Sequence, residues 1–319
     1  MKKYFLMLWA LSASITAIRA QQKFDFTVAT DGSGDFTTVQ AAINAVPDMR
    51  ANRTFIHIKP GIYKEKLTLP ANKTNISFIG DDALKTILTF DDYAQKKNRF
   101  GENIGTSGSS SFFVYGDGFS AENITFENSA GPVGQAVAVR IDGDKVCFRN
   151  CRFLGFQDTL YPHGDRSRQY YKNCYIEGTV DYIFGFSTCY FEDCTLFCKT
   201  AGYVTAASTP STSKYGFVFK NCSIEGNAPD GSFYLGRPWR PYANVVFLDC
   251  KISKVIHPQG WNNWGNTENE KTAFYAEYNC TGDGANTSKR VTWAKQLTAN
   301  DLPNYNRNAV LTDWNPDKQ

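Results

Sequence analysis

One hydrophobic pattern recurs through the middle of the chain. It is an aromatic residue, any residue, Asn or Asp, Cys, any residue, then an apolar residue. It reads Phe148-Arg149-Asn150-Cys151-Arg152-Phe153 and Tyr171-Lys172-Asn173-Cys174-Tyr175-Ile176, and returns around Asp193, Asn221 and Asp249. An earlier, weaker copy is Phe126-Glu127-Asn128-Ser129. With Asn128, Asn150, Asn173, Asp193, Asn221 and Asp249 as anchors, the spacings are 22, 23, 20, 28 and 28 residues. A period in this range marks a solenoid. Leucine-rich repeats share the period but carry Leu at fixed positions and a helical segment per unit. Here the units are aromatic, β-branched and Gly/Asn-rich, which favours short strands and turns.

Each repeat also changes phase. The aromatic lies two residues before the anchor, whereas Cys and the apolar residue lie one and three after it. On one straight strand these sets would face opposite ways. A bend at the Asn or Asp brings both inward, because these residues tolerate the left-handed conformation. The expected architecture is all-β: a right-handed parallel β-helix, right-handed because parallel crossovers are. A short N-terminal helix should cap the open coil. Val39, Ile43 and Val46 have helical spacing, Thr37 and Gln40 are placed for a capping box, and Pro47 ends the run. The tail after about Lys295 has no repeat signal and is expected to pack as loops and a short helix along the side.

Residues 1–20 read as a secretory signal: Lys2 and Lys3, a mostly apolar run from Phe5 to Ile18, and Ala20 at the cleavage end. The apolar run is short and broken by Ser and Thr, which disfavours a retained anchor. Residues 21–319 are then one exported domain, periplasmic or extracellular, with no membrane span and expected as a monomer. Nine Cys in an exported chain suggest disulfides. However, Cys151, Cys174, Cys194, Cys222 and Cys250 share one repeat position, so an interior stack of free thiols is expected. A bridge among Cys147, Cys189, Cys198 and Cys280 is left open. The net charge of +3 permits an acidic polymer as ligand, and no Lys/Arg run points to nucleic acid.

Asp158 lies eight residues after Asn150, and Asp181 eight after Asn173. On stacked parallel strands equivalent residues lie about 4.8 Å apart. Two carboxylates that close cannot both ionise freely, so one becomes an acid beside a carboxylate. Gln135 and Gln157, each seven residues after an anchor, should stack beside them. Their amides either donate to an oxyanion or form a structural ladder. In Leu235-Gly236-Arg237-Pro238-Trp239, Arg237 either pairs with one aspartate or sits in a surface turn; Trp239 either stacks on a sugar or packs. There is no Gly-x-Ser-x-Gly elbow and no phosphate loop. His57, His163 and His257 stand in no triad or metal context and read as surface or turn residues. Hydrolysis by a carboxylate pair remains.

These residues resemble the pectin methylesterase family along nearly the whole mature chain. The matching segments run in order from Asp31-Gly32-Ser33-Gly34-Asp35-Phe36 and Gly61-Ile62-Tyr63-Lys64-Glu65 through Gln135-Ala136-Val137, Gly155-Phe156-Gln157-Asp158-Thr159-Leu160-Tyr161 and Val180-Asp181-Tyr182-Ile183-Phe184-Gly185. They end with the Leu235–Trp239 segment and Tyr275-Ala276-Glu277-Tyr278. The resemblance implies removal of methyl esters from galacturonan (pectin) without cofactor or metal. It makes Asp181 the nucleophile, Asp158 the general acid/base, Gln135 and Gln157 the oxyanion donors, and Arg237 the group that orients Asp181. It places Trp239, Tyr161 and Phe184 against sugar, and Ser111 at a hydroxyl contact. The loop from Tyr93 to Ser110 matches the family pattern poorly. Two alternatives are a retaining glycoside hydrolase on the same fold, which would also use carboxylates about 5 Å apart, and a non-catalytic polysaccharide-binding solenoid.

Overall fold

The computed structural model describes residues 23–319, so the export signal read in residues 1–20 lies outside the described residues. Three parallel sheets run along the molecule, with eleven, eight and seven strands among the described residues. One coil illustrates the path. Val146–Arg149 belongs to the eleven-stranded sheet, Arg152–Leu154 to the eight-stranded one and Leu160–Pro162 to the seven-stranded one. Each strand pairs in parallel with its equivalent one coil on: Phe148 with Tyr171, Phe153 with Ile176, Leu160 with Ile183. This is the parallel β-helix expected from the repeat.

The corners form where the phase change required. Asn150, Asn173, Asp193, Asn221 and Asp249 have φ between 51° and 58°. The aromatics before them stack up the interior: ring centroids are 5.3 Å apart for Phe148–Tyr171, 4.4 Å for Tyr171–Phe191, and 4.5 Å for both Phe191–Phe219 and Phe219–Phe247. Burying each such ring contributes about 1.5–3 kcal/mol, and each aromatic pair adds about 0.5–1.5 kcal/mol. The sulfurs form a second column. Cys151, Cys174, Cys194, Cys222 and Cys250 are buried free thiols, each in reach of a backbone carbonyl of the preceding coil.

Two expectations need correction, and one open question is answered. The weak copy was anchored on the wrong residue. Phe126 pairs with Phe153 and Arg152 with Thr125, so the corner equivalent to Asn150 is Asn123, whose φ is 57°. Asn128 instead lies within a strand, with its amide buried and donating to the carbonyls of Asp92, Ser109 and Val137. The bridge left open does not form: Cys147, Cys189, Cys198 and Cys280 are free, and Cys280 prolongs the sulfur column, donating to the Phe247 carbonyl. The N-terminal helix is present at Val39–Ala45, but Thr38, not Thr37, is its N-cap and accepts from the Ala41 amide. Gln40 makes no capping box. Its carboxamide exchanges two hydrogen bonds with the Thr68 backbone, while the Glu65 carboxylate accepts from the Val39 and Gln40 amides.

The tail packs along the side, as expected. Val310, Leu311 and Trp314, in and after the helix Arg307–Leu311, cover Tyr170, Tyr190, Val218 and Val246 on the outer face of the eleven-stranded sheet. At the C-terminal end of the ladder, Glu277 takes two hydrogen bonds from Arg290 at 2.8 and 3.0 Å, and both side chains are almost fully buried.

Candidate active site

The site lies on the outer face of the seven-stranded sheet. The strands Leu160–Pro162 and Ile183–Gly185 pair through Leu160 and Ile183, which puts Asp158 and Asp181, two residues earlier in each, at one register position. The Asp158 amide donates to the Val180 carbonyl at 3.1 Å, locking the step between the two coils. Both aspartates adopt left-handed backbone, φ 65° and 55°. That turn lifts each carboxylate out of the sheet, at a position where Asp is among the few tolerated residues. Gln135 and Gln157 form a parallel bridge of their own. Their stacking matches the expectation, although the interval that suggested it was fortuitous. Counted from the true corner, Gln135 lies twelve residues beyond Asn123, whereas Gln157 lies seven beyond Asn150.

Arg237 follows the strand Phe233–Gly236, two coils along from Asp181. Its guanidinium donates to both carboxylate oxygens of Asp181, Nε to one at 2.9 Å and Nη2 to the other at 2.7 Å. It is held between two rings, 3.9 Å from the centroid of Tyr203 and 3.7 Å from that of Trp264. A planar cation clamped on both faces fixes one carboxylate in one plane.

The two carboxylates are therefore unequal. Asp158 and Asp181 are 7% and 5% exposed. Burial, then the charge of Asp181, push the Asp158 carboxyl well above the usual range, against a weaker pull from Arg237. Burial also raises Asp181, but there the Arg237 hydrogen bonds and charge oppose it. One carboxyl is thus favoured as an acid and its neighbour as an anion. Beside them, Tyr161 and Phe184 stack with centroids 4.0 Å apart, and Trp239 tilts toward them at 6.4 and 6.0 Å. Ala206, in register after Phe184, leaves the floor between Phe184 and Arg237 open.

Together these residues line a cleft of about 380 Å³. Of the expected site residues, Asp158, Asp181, Gln135, Gln157, Arg237, Trp239, Tyr161 and Phe184 line it. Ser111 does not. It leads into the strand Phe112–Val114, its amide donates to the Val137 carbonyl, and its buried hydroxyl faces the Phe90 carbonyl at 3.4 Å. Thr106 and Ser107, in the one-turn helix Gly105–Gly108, line the cleft in its place, as does Trp264. No repeat marks either segment, so neither was found from sequence. His163 is more than a surface residue: it bonds Asp142 at 2.6 Å and packs edge-on to Tyr161. Among the described residues no group of three or more His, Cys, Asp or Glu side chains is arranged to hold a metal ion.

The family model for Pectinesterase matches residues 25–312. "Pectinesterase 31" of Arabidopsis thaliana is 46% identical over 276 residues, covering 85% of this chain and 86% of that protein. The solved pectin methylesterase from carrot superposes with a TM-score of 0.83 at 36% identity, covering 92% of this chain and 94% of that one. Pectin methylesterase PemA from Erwinia chrysanthemi gives 0.81 at 29% identity, over 92% and 99%. A pectin methylesterase in complex with a hexasaccharide gives the same values.

Proposed function

Because the chain belongs to the pectinesterase family and is an esterase, we propose that it removes methyl esters from the galacturonate residues of pectin by aspartate nucleophilic catalysis. The Asp181 carboxylate attacks the C6 carbonyl carbon of a methylated residue. The carbonyl oxygen takes up the charge and receives hydrogen bonds from the Gln135 and Gln157 amides. Collapse breaks the bond to the methoxy oxygen, which takes the Asp158 proton and leaves as methanol. Asp181 and C6 are then joined as an anhydride. Asp158, now a base, removes a proton from water as the water oxygen attacks C6, and Asp181 departs as carboxylate. The free galacturonate acid leaves, and Asp158 holds its proton again.

The observation that carries this reading is the asymmetry of the pair: Arg237 grips Asp181 through both carboxylate oxygens and makes no hydrogen bond to Asp158. A nucleophile must be charged and aimed, and a general acid must keep a proton near its leaving group; the two environments meet these needs separately. The rings of Tyr161, Phe184 and Trp239 offer flat apolar surface to sugar faces. An export signal in residues 1–20 would deliver the enzyme to such a polymer.

The test is methanol release from highly methylated pectin, with reducing ends and ultraviolet absorbance of unsaturated products followed in the same tube. Methanol with both other signals flat is expected. New reducing ends without methanol would transfer the pair to glycoside hydrolysis.

A further inference from the structure

In the loop between the strand Thr86–Phe90 and residue 105, one side chain bonds a residue that lines the cleft. Gln95 Nε2 donates to Gln135 Oε1 at 3.1 Å. The backbone on both sides is tied down. The Ala94 amide donates to the Gln135 carbonyl at 2.8 Å, the Gly105 amide to the Ala94 carbonyl at 2.9 Å, and the Ile104 amide to the Lys96 carbonyl at 3.0 Å. Lys96 is itself anchored to Asp92 at 2.8 Å. The seat for Gln95 is shaped by Gly134, whose φ is +98°; a Cβ there would stand 3.2 Å from Gln95 Oε1 and 3.4 Å from Nε2. Gln157, one coil on, has no side-chain hydrogen bond to the described residues, so of the two stacked glutamines only Gln135 is oriented by a neighbour.

The direction of that bond has a chemical consequence. A carboxamide has one acceptor end and one donor end. With Oε1 engaged by Gln95, the Gln135 NH₂ group is the end left for the cleft. Turned over, Gln135 would present oxygen to a developing oxyanion. We propose that Gln95 is a positioning residue that sets the polarity of the Gln135 amide, and so determines whether this coil donates to the reacting oxygen. The inference rests on the oxyanion role assigned above to Gln135. It also gives a function to a loop that no repeat marks.

Gln95→Glu separates orientation from packing, because the side chain keeps its size. When ionised, a glutamate at this position only accepts, so it draws the Gln135 NH₂ to itself and turns the oxygen toward the cleft. When protonated, it donates as Gln95 does. Against methylated pectin at neutral pH, Gln95→Glu should lower kcat by about tenfold to a hundredfold, less than or comparable to loss of one oxyanion donor, with KM nearly unchanged. The ratio of variant to wild-type kcat should then rise as pH falls through the ordinary Glu range, near 4–5. Gln95→Ala should lose less than Gln95→Glu at neutral pH, and in the Gln135→Ala background neither change should lower kcat further. A Gln95→Glu enzyme with wild-type kcat, or a kcat ratio flat with pH, overturns the positioning role. If Gln135→Ala itself keeps full kcat, it is the oxyanion assignment of Gln135 that fails.

Discussion

Asp158 and Asp181 sit at the same register position on consecutive coils, and both carry left-handed backbone, at φ 65° and 55°. Most side chains strain at such angles by about 1–2 kcal/mol, whereas Asn tolerates them nearly as well as Asp. Asn is therefore the substitution that tests chemistry without testing the fold. Asp181→Asn and Asp158→Asn should each lose kcat for methanol release by about a thousandfold or more, with an unchanged far-ultraviolet circular dichroism spectrum. Wild-type turnover in either variant would remove that residue from the mechanism.

The buried acid should also cost stability. A carboxyl whose pKa is raised by folding stabilises fully below its unfolded pKa and loses that contribution as pH rises through the folded value. Asp158 is raised well above the usual range, first by burial and then by Asp181. At pH 7 the Asp158→Asn protein should therefore melt higher than wild type, and the advantage should shrink toward zero near pH 3–4, about where a carboxyl in the unfolded chain takes up its proton. Thermal melts across that range measure it; a lower Tm for the variant at pH 7 would contradict the assigned shift.

Arg237 opposes the burial that raises Asp181. Without it Asp181 should hold its proton to higher pH. Arg237→Gln should move the acid limb of the kcat profile toward neutrality and lower its plateau by about tenfold to a hundredfold. Arg237→Lys should recover only part of the plateau, because an ammonium cannot bond both oxygens in one plane or stack between Tyr203 and Trp264. An unmoved acid limb would show that Arg237 does not bear on the ionisation of Asp181.

Glu277 and Arg290 form a buried ion pair at the end of the ladder; Arg290 also bonds the carbonyls of Pro258 and Gly284. Removing one partner leaves a buried charge, which costs about 3–5 kcal/mol. Glu277→Ala should lower stability by that amount in denaturant titration. Methanol release at a temperature where the variant is folded should be little changed.

All nine cysteines are free thiols, and only Cys280 is not fully buried. Mass spectrometry under native alkylation should show Cys280 modified first, whereas the unfolded chain should take up nine adducts without prior reduction. Fewer than nine would reveal a disulfide.

What could be read from the sequence was whatever the coil repeats. The aromatic, the left-handed corner and the Cys recur because each coil must bury the same faces, so the spacing of Asp158 and Asp181 followed from Asn150 and Asn173. The same logic misplaced one coil, because Phe126-Glu127-Asn128 imitates the motif with an anchor five residues beyond the real corner, Asn123, which lacks a following Cys. Thr106 and Ser107, in a one-turn helix, and Trp264, in a turn, lie between the strands where no register constrains them, and their arrival in the cleft depends on long-range contacts. Arg237 was visible as a candidate, but the choice between surface turn and clamp needed Tyr203 and Trp264 in space.

The spacing between Asp158 and Asp181 is one rung of a backbone ladder, tied by the bond from the Asp158 amide to the Val180 carbonyl. Loops can therefore lengthen or change sequence without altering that distance. The coils already differ by up to eight residues, from 20 to 28, while their strands stay in register. The ladder thereby separates two requirements: the rungs hold the two carboxylates at a set distance, and the loops are free to vary around them.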